Sequence, residues 1–171
     1  MHGGVILDGH KFESTTEPIG TLPLPSTLTI PLRQNCGVPP RCIVRPGDKV
    51  LKGQPLALPA DRISAAVHAP TSGVVEAVTD RPIPHPSGLA DHCVILTPDG
   101  MDELFSPVSF DWHRAGGDEI RQAIRTAGIV GLGGAAFPSD MKIYPPMETH
   151  IINGAECEPY ITCDDMLMRE S

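Results

Sequence analysis

The sequence predicts an α+β chain of two parts, a β-rich first part followed by the start of an α/β unit. Nineteen prolines and 17 glycines interrupt the chain, and between them Val, Ile, Leu and Thr form short apolar runs. One segment after residue 117 has the spacing of an amphipathic helix, and a glycine-rich stretch and an apolar run follow it, as in α/β units. We therefore predict a first domain at 1–100, a linker at 101–117 and a second domain at 118–171.

Composition excludes several classes of function. The net charge is -8 and the chain has only four lysines, which argues against a broad nucleic-acid or anionic-lipid surface. No apolar run approaches the roughly 20 residues of a membrane-spanning helix, and the N-terminus lacks the pattern of a signal peptide. Five cysteines without CxxC spacing are typical of reduced thiols. We expect a cytoplasmic chain with no transmembrane segment and no nucleic-acid partner.

The first part is predicted to be a small β-barrel or sandwich. Its strands are short runs of β-forming residues bounded by Pro or Gly. The predicted strands are 28–34, 41–44, 49–57, 64–70, 73–80 and 92–98. The segment after them is more acidic and holds several of the few aromatic residues, which favours a linker.

Residues 44–78 resemble the repeating hairpin of lipoyl and biotinyl carrier domains. GDKVLKGQ and APTSG occupy the two turns of that hairpin, where glycine permits positive φ. The resemblance implies a barrel-sandwich hybrid. In carriers the hairpin between the turns exposes an acylated lysine, but here it reads DRIS (61–64), so we predict a docking scaffold and no carrier. His68 and His85 each lack a second ligand at metal spacing, so we assign neither to a metal.

The second part begins with a predicted helix at 118–128, whose apolar residues fall on one stripe and which ends at Gly128. Residues 149–154, THIING, suit a buried strand, and 163–171 suit the opening of another helix. This α/β unit covers only about fifty residues, fewer than a typical domain. The sequence therefore predicts a truncated domain.

The stretch GIVGLGGAAFPSDMK, residues 128–142, admits two interpretations. Gly131, Gly133 and Gly134 are close enough for several backbone N–H groups to point at one anion, and Lys142 could add a point charge to a phosphate. Alternatively, the glycines serve a sterically tight turn and the lysine is solvated. The stretch alone does not decide between them.

A second motif, INGAECEPYITCDD at 152–165, places polar groups after the apolar run. Asn153 has a donor and an acceptor for the edge of a heterocycle, while Glu156 and Glu158 can accept from ribose hydroxyls. Such a site suits a flavin or a nicotinamide. The alternative is an acidic surface turn, and for Asp164 and Asp165 we prefer a helix-capping role.

Both motifs look like the RnfC/RsxC family, a peripheral component of the Rnf ion-translocating electron transport complex. They are more distantly similar to the FMN and NADH binding subunit of respiratory complex I. The N-terminal part of the chain also resembles the RnfC/RsxC family, so the resemblance covers essentially all 171 residues. The agreeing segments are HGGVILDGHK, PLRQNCGVPPRCIVRPGDKVLKGQPLA, HAPTSGVVEAV and RPIPHPSGLADHCVILTPDG.

The resemblance implies a subunit peripheral to the inner face of the bacterial cell membrane. It would exchange electrons between NADH and a ferredoxin-type carrier through FMN and 4Fe-4S clusters, and other Rnf subunits would couple this transfer to ion translocation. The implied cofactor-binding residues are Gly131, Gly133 and Gly134 in the flavin loop, Lys142 at the phosphate, Asn153 at the flavin and Glu158 near the nicotinamide. No catalytic side chain or metal ligand is implied. We expect no turnover from this chain alone, and the alternative function is a non-enzymatic adaptor.

The chain also departs from the family pattern. Where the family's loop usually reads GGAGFP, Ala136 replaces the last glycine, adding a Cβ where backbone approaches the ligand. Compared with the complex I protein, Leu132 stands where an arginine is usual and Ala155 where an acid is usual. The resemblance assigns none of the five cysteines to a cluster, whose ligands we expect beyond residue 171. Cys157 is a candidate reactive thiol if it is exposed with a lowered pKa.

Overall fold

The computed structural model describes residues 4, 7–85, 87–106, 109–132, 134–143, 148–149 and 151–170. The chain divides into two compact units. The larger is Leu24–Pro146, and the smaller combines Met1–Pro23 with Met147–Ser171. The domain boundaries expected from sequence, with a linker at 101–117, stay a prediction.

The larger unit contains two antiparallel sheets. One has four strands in the order β1-β7-β6-β3, and the other has three in the order β2-β4-β5. The strands are β1 (Leu28–Pro31), β2 (Arg41–Cys42), β3 (Lys49–Val50), β4 (Pro55–Leu58), β5 (Val67–His68), β6 (Gly73–Pro82) and β7 (Ala90–Pro98). The longest pairing joins β6 to β7, from Gly73 opposite Pro98 to Pro82 opposite Ala90. The β-rich barrel-sandwich hybrid predicted from sequence is confirmed.

One apolar core joins the two sheets. Its fully buried members include Val75, Val94 and Leu96 from the four-stranded sheet and Leu56 from the other. Each such side chain contributes about 1.5–3 kcal/mol by leaving water. This burial explains why short strands suffice to hold the unit.

The run predicted as one strand at 49–57 is two strands with a turn between them. Gly53 adopts φ +80°, a left-handed conformation that interrupts a strand. Its N–H donates to Ala69 O at 2.8 Å, and Ala69 N–H donates to Gln54 O at 2.9 Å. The two turns of the carrier-like hairpin are therefore hydrogen-bonded to each other.

Helix α1 spans Gly117–Thr126 and confirms the helix predicted at 118–128. At its start the Glu119 carboxylate accepts a hydrogen bond from Gly116 N–H at 2.7 Å, which satisfies one of the free amides there. Its C-terminal end packs against β5. In the smaller unit α2 spans Cys163–Glu170, as predicted. No helix in the described part of the chain has the length and hydropathy needed to cross a membrane.

The prediction of a buried strand at 149–154 is wrong for the residues that the structure describes there. Ile151 and Ile152 are 84% and 81% exposed, and 151–154 have no strand structure. A strand needs a neighbour to pair its backbone groups, and none lies alongside within the described ranges. The apolar pattern predicted burial correctly for β4 and β7 because those strands have partners.

His68 makes the larger unit sensitive to acid. Its ring is partly buried where β5 meets the end of α1, and this burial lowers the pKa of His68, while a hydrogen bond to the backbone of Thr126 acts in the opposite direction. The folded state thus holds His68 neutral at a pH where the unfolded chain protonates it. Stability is greatest above the ordinary histidine pKa of about 6.5 and falls as pH drops through the lowered folded value.

We therefore expect His68→Gln to flatten the pH dependence of the unfolding free energy between about pH 7 and pH 5. Urea titrations at several pH values measure this, with the exposed His85→Gln as the matched control. An unchanged pH slope in His68→Gln contradicts the assignment.

Candidate functional site

The glycine-rich stretch forms a closed loop, which we call the glycine loop (residues 131–137). An antiparallel bridge joins Val130 to Pro138 at its neck. Gly131 N–H donates to Phe137 O at 2.9 Å, and Ser139 N–H donates to Ile129 O at 3.0 Å. The neck of the loop is therefore the tight turn that one of the two sequence interpretations predicted.

The tip of the glycine loop nevertheless leaves amides available. The N–H groups of Leu132, Gly134, Ala135 and Ala136 have no acceptor among the described residues, and Gly133 lies outside those residues. Gly131 cannot contribute, because its N–H is bonded across the neck. Neighbouring amides that donate to no other group can bind an anion.

Lys142 lies beside the neck of this loop. It is exposed, at the end of a 3-10 turn that spans Ser139–Lys142. Its Nζ lies 5.8 Å from the centroid of the Phe137 ring, and a Cβ added to Gly131 would lie 3.4 Å from Nζ. No carboxylate of the described residues pairs with Lys142. The structure therefore brings Gly131 and Lys142 together. The ammonium and the amides without an acceptor among the described residues belong to one short segment, and both are donors that suit the phosphate of FMN.

A cleft beside the 3-10 turn was not predicted from sequence. It has a volume of about 460 Å³, and its lining includes Arg62, Arg121, Arg125 and Asp140. Asp140 is buried, 7% exposed, and its Oδ1 has no partner within the described residues. The only available sequence signal was the spacing of Arg121 and Arg125, which places them on one face of α1.

Ala136 has a left-handed backbone, with φ +48°. Its carbonyl accepts a hydrogen bond from Cys36 N–H at 3.2 Å, which ties the loop to the barrel. An L-residue in this conformation is strained by about 1–2 kcal/mol relative to the right-handed region. The glycine that the resemblance led us to expect at this position would avoid that strain.

We expect Ala136→Gly to raise the unfolding free energy by about 0.5 kcal/mol, because relief of the φ strain exceeds the greater entropy that glycine has in the unfolded chain. Chemical denaturation measures the change. The matched control is Ala135→Gly, at an exposed loop position without positive φ, which should be neutral or slightly destabilising. Equal effects at both positions would contradict the assignment of strain to Ala136.

The second motif lies in the smaller unit, where Asn153 and Glu158 are exposed. The Asn153 side-chain oxygen accepts a hydrogen bond from Ala155 N–H at 2.9 Å, so only its amide NH₂ has no partner among the described residues. The Glu158 carboxylate likewise has none there. Both residues thus present polar groups that a ligand could bind.

Glu156 has a structural role at the start of α2. Its Oε1 accepts from Asp164 N–H at 3.2 Å and from the Cys163 thiol at 2.8 Å. The bond with Cys163 is the main cause that lowers the pKa of Glu156 and raises the pKa of Cys163. The capping role that the sequence suggested for Asp164 and Asp165 is therefore performed by Glu156 instead. Asp165 forms an ion pair with Arg169 along the helix at 2.8 Å.

Ligand atoms of Glu156, Cys163 and Asp164 lie within 4.8 Å of one another. The cap and the thiol bond already account for this proximity, so we assign no metal to the group. All five cysteines are free thiols, and Cys157 and Cys163 are exposed.

The sequence-predicted site residues are thus divided between the two units. Gly131, Gly134 and Lys142 lie in the larger unit, and Asn153 and Glu158 lie in the smaller. The structure describes the candidate residues of the two units separately. The expectation that both sets bind one cofactor stays a prediction.

Two family models match the chain. The model of the RnfC barrel sandwich hybrid domain matches residues 1–101, and that of the Nuo51 FMN-binding domain matches residues 124–171. The first match includes residues 1–23, although these pack with residues 147–171 in the smaller unit. The second includes every candidate cofactor-binding residue.

Several curated relatives are named as the C subunit of an ion-translocating oxidoreductase complex. The relative from Serratia proteamaculans is 47% identical, and the match covers 98% of this chain and 24% of the relative. Those from Pseudomonas aeruginosa and Vibrio cholerae are 44% and 42% identical, with 98% of this chain and 22% of each relative covered. The chain thus spans about a quarter of the length of these relatives. Since a barrel model matches more than half of the chain and these relatives align with nearly all of it, the chain belongs to the RnfC family.

Proposed function

We propose that this chain is part of an electron transport subunit that binds FMN and transfers electrons between NADH and a ferredoxin-type carrier. In this proposal 4Fe-4S clusters held by other parts of the subunit receive the electrons. Membrane partners of the complex couple the transfer to ion translocation, and the subunit lies on the cytoplasmic face of the membrane. The names of the relatives support the oxidoreductase and ion-translocating parts of this proposal.

The observation that carries the FMN proposal is the glycine loop, whose neck lies beside Lys142. Four amides that have no acceptor among the described residues, and the Lys142 ammonium, lie in the segment that the FMN-binding model matches. Backbone N–H groups and a lysine are the donors that proteins commonly use for phosphate. A carboxylate-rich loop would have argued against a flavin phosphate.

Each candidate residue has a separate role in the proposal. The glycine loop, with Gly133 and Gly134, binds the phosphate and lets the ligand approach the backbone closely, Gly131 closes the neck of the loop, and Lys142 neutralises the phosphate charge. Asn153 donates its amide N–H to the flavin ring, and Glu158 accepts from the nicotinamide nucleotide. FMN, when bound, supplies the hydride and single-electron chemistry, and these side chains supply binding and orientation.

The test compares FMN with riboflavin, which lacks the phosphate. Flavin fluorescence is titrated with the purified chain, with Lys142→Met and with the control Lys49→Met, an exposed strand lysine. We expect saturable FMN binding at micromolar concentration, with riboflavin weaker by about tenfold or more, as expected for loss of a charge-assisted contact. Lys142→Met should reduce the affinity for FMN toward that for riboflavin, and Lys49→Met should not.

Two results would refute the phosphate role. If FMN and riboflavin bind equally, the loop does not bind the phosphate. If neither flavin binds to the chain or to the full-length subunit, the non-enzymatic adaptor is favoured and the loop is only a turn.

A further inference from the structure

Lys11 lies in the smaller unit and binds the backbone of a distant segment, which we call the acidic turn (residues 156–161). The Lys11 ammonium donates to the carbonyls of Glu156 at 3.1 Å, Glu158 at 2.8 Å and Ile161 at 2.6 Å. An ammonium has three N–H donors, so each carbonyl receives one. The entire donor capacity of Lys11 is used on this turn.

The acidic turn needs such an external donor because it has no regular secondary structure of its own. Its carbonyls therefore lack the partners that a helix or sheet would provide, and three of them converge on one point. Converging carbonyl oxygens repel each other unless a cation lies between them. Lys11 supplies that cation.

The residues around Lys11 hold the same turn. The His10 ring stacks on the Tyr160 ring, with centroids 4.7 Å apart and planes inclined by 7°. Tyr160 N–H donates to Gly9 O at 2.9 Å. Tyr160 and His10 both have left-handed backbones, with φ +67° and +47°. Such strain persists where surrounding contacts fix it.

We propose that Lys11 is a positioning residue for Glu158. It binds the backbone of the acidic turn and no carboxylate of the described residues, so it fixes the position of Glu158 while leaving the Glu158 carboxylate free for a ligand. This inference rests on the proposed function, in which Glu158 accepts from the nicotinamide nucleotide. It adds a residue of the N-terminal segment to the nucleotide site.

A lysine that only neutralised acidic charge would be placed differently. Its ammonium would pair with a carboxylate of Glu156 or Glu158, and its loss would change little at the surface. The observed bonds go to three main-chain oxygens, which control geometry. Loss of Lys11 therefore changes where Glu158 lies and leaves its chemistry intact.

The first measurement is amide hydrogen exchange of peptides that cover residues 156–162 in the chain. Lys11→Met keeps the aliphatic stem and removes the three donors, so we expect exchange in this turn to accelerate by roughly tenfold. Lys49→Met, on a strand of the larger unit, should leave exchange in the turn unchanged. Lys11→Arg restores some donors in a planar fork and should recover part of the protection.

The second measurement is the Kd for NADH in the intact FMN-loaded subunit. We expect Lys11→Met to raise this Kd by roughly tenfold without changing the FMN content or the melting temperature of the subunit, with partial rescue in Lys11→Arg. A merely structural lysine would lower the melting temperature and show no selective effect on NADH. Glu158→Gln should raise the Kd for NADH while leaving amide exchange in the turn unchanged.

The two variants separate the two claims. If Glu158→Gln leaves the Kd for NADH unchanged, the proposed function of Glu158 is wrong, whatever Lys11 does. If Glu158→Gln raises the Kd but Lys11→Met alters neither amide exchange nor NADH binding, the positioning role of Lys11 is overturned.

Discussion

Gly128→Ala should lower the unfolding free energy of the larger unit by about 3 kcal/mol, a large effect for one methyl group. Gly128 ends α1 with φ +71°, and a Cβ there would lie 2.4 Å from Ala66 O and 3.3 Å from Cε1 of His68. The distance to Ala66 O is far below van der Waals contact, and this oxygen belongs to the main chain next to β5, which cannot move aside as a flexible side chain could. The methyl group therefore forces the end of the helix away from the barrel.

The matched control for this prediction is Gly88→Ala. Gly88 has a similar φ of +65°, but a Cβ there would meet nothing within 4 Å. Its replacement should cost only the backbone strain, about 1 kcal/mol. Urea unfolding of both variants measures the difference, and equal losses would show that the helix end is not held against Ala66.

The strands were predictable from sequence because proline and glycine mark their ends. β6 and β7 lie where the runs at 73–80 and 92–98, bounded by proline or glycine, predicted strands, and Gly128 ends α1 as its position predicted. What the pattern could not predict was the close approach of Gly128 to Ala66, because that contact joins segments that are distant in the chain. The strained φ of Ala136 was foreseeable only from the family's glycine at that position.

Lys11 shows why one residue of the proposed nucleotide site could not be predicted from sequence. Its three acceptors are main-chain carbonyls about 150 positions away. Every residue has such a carbonyl, so the residue types in the sequence do not indicate which carbonyls accept from Lys11. The prediction of a buried strand at 149–154 was wrong for a related reason. A strand is buried only if it has a pairing partner, and the composition of the run does not reveal one. The glycine loop was predicted because its glycines and its lysine are close in sequence.

Ser72→Ala should lower the unfolding free energy by about 1–3 kcal/mol, because it removes two hydrogen bonds, one of them to a carboxylate. Ser72 is fully buried, and its hydroxyl donates to Asp99 Oδ1 at 2.7 Å and accepts from Glu103 N–H at 2.9 Å. These bonds fix the segment that leaves β7, within which Asp102 also pairs with Lys52 at 2.6 Å. The start of the expected linker is therefore anchored to the barrel.

The loss of stability in Ser72→Ala should be accompanied by a change in the pKa of Asp99, which a loss of packing alone would not cause. The Ser72 hydroxyl is the main cause that lowers the pKa of Asp99, so this pKa should rise toward its ordinary value in the variant, as measured by NMR titration of the carboxyl carbon. Ser26→Ala, at an exposed position, should change neither quantity. If Ser72→Ala loses stability while the pKa of Asp99 stays low, packing rather than the hydrogen bonds holds this segment. If both change, the hydrogen bonds of Ser72, the serine of the second carrier-like turn, hold the start of the expected linker against the barrel.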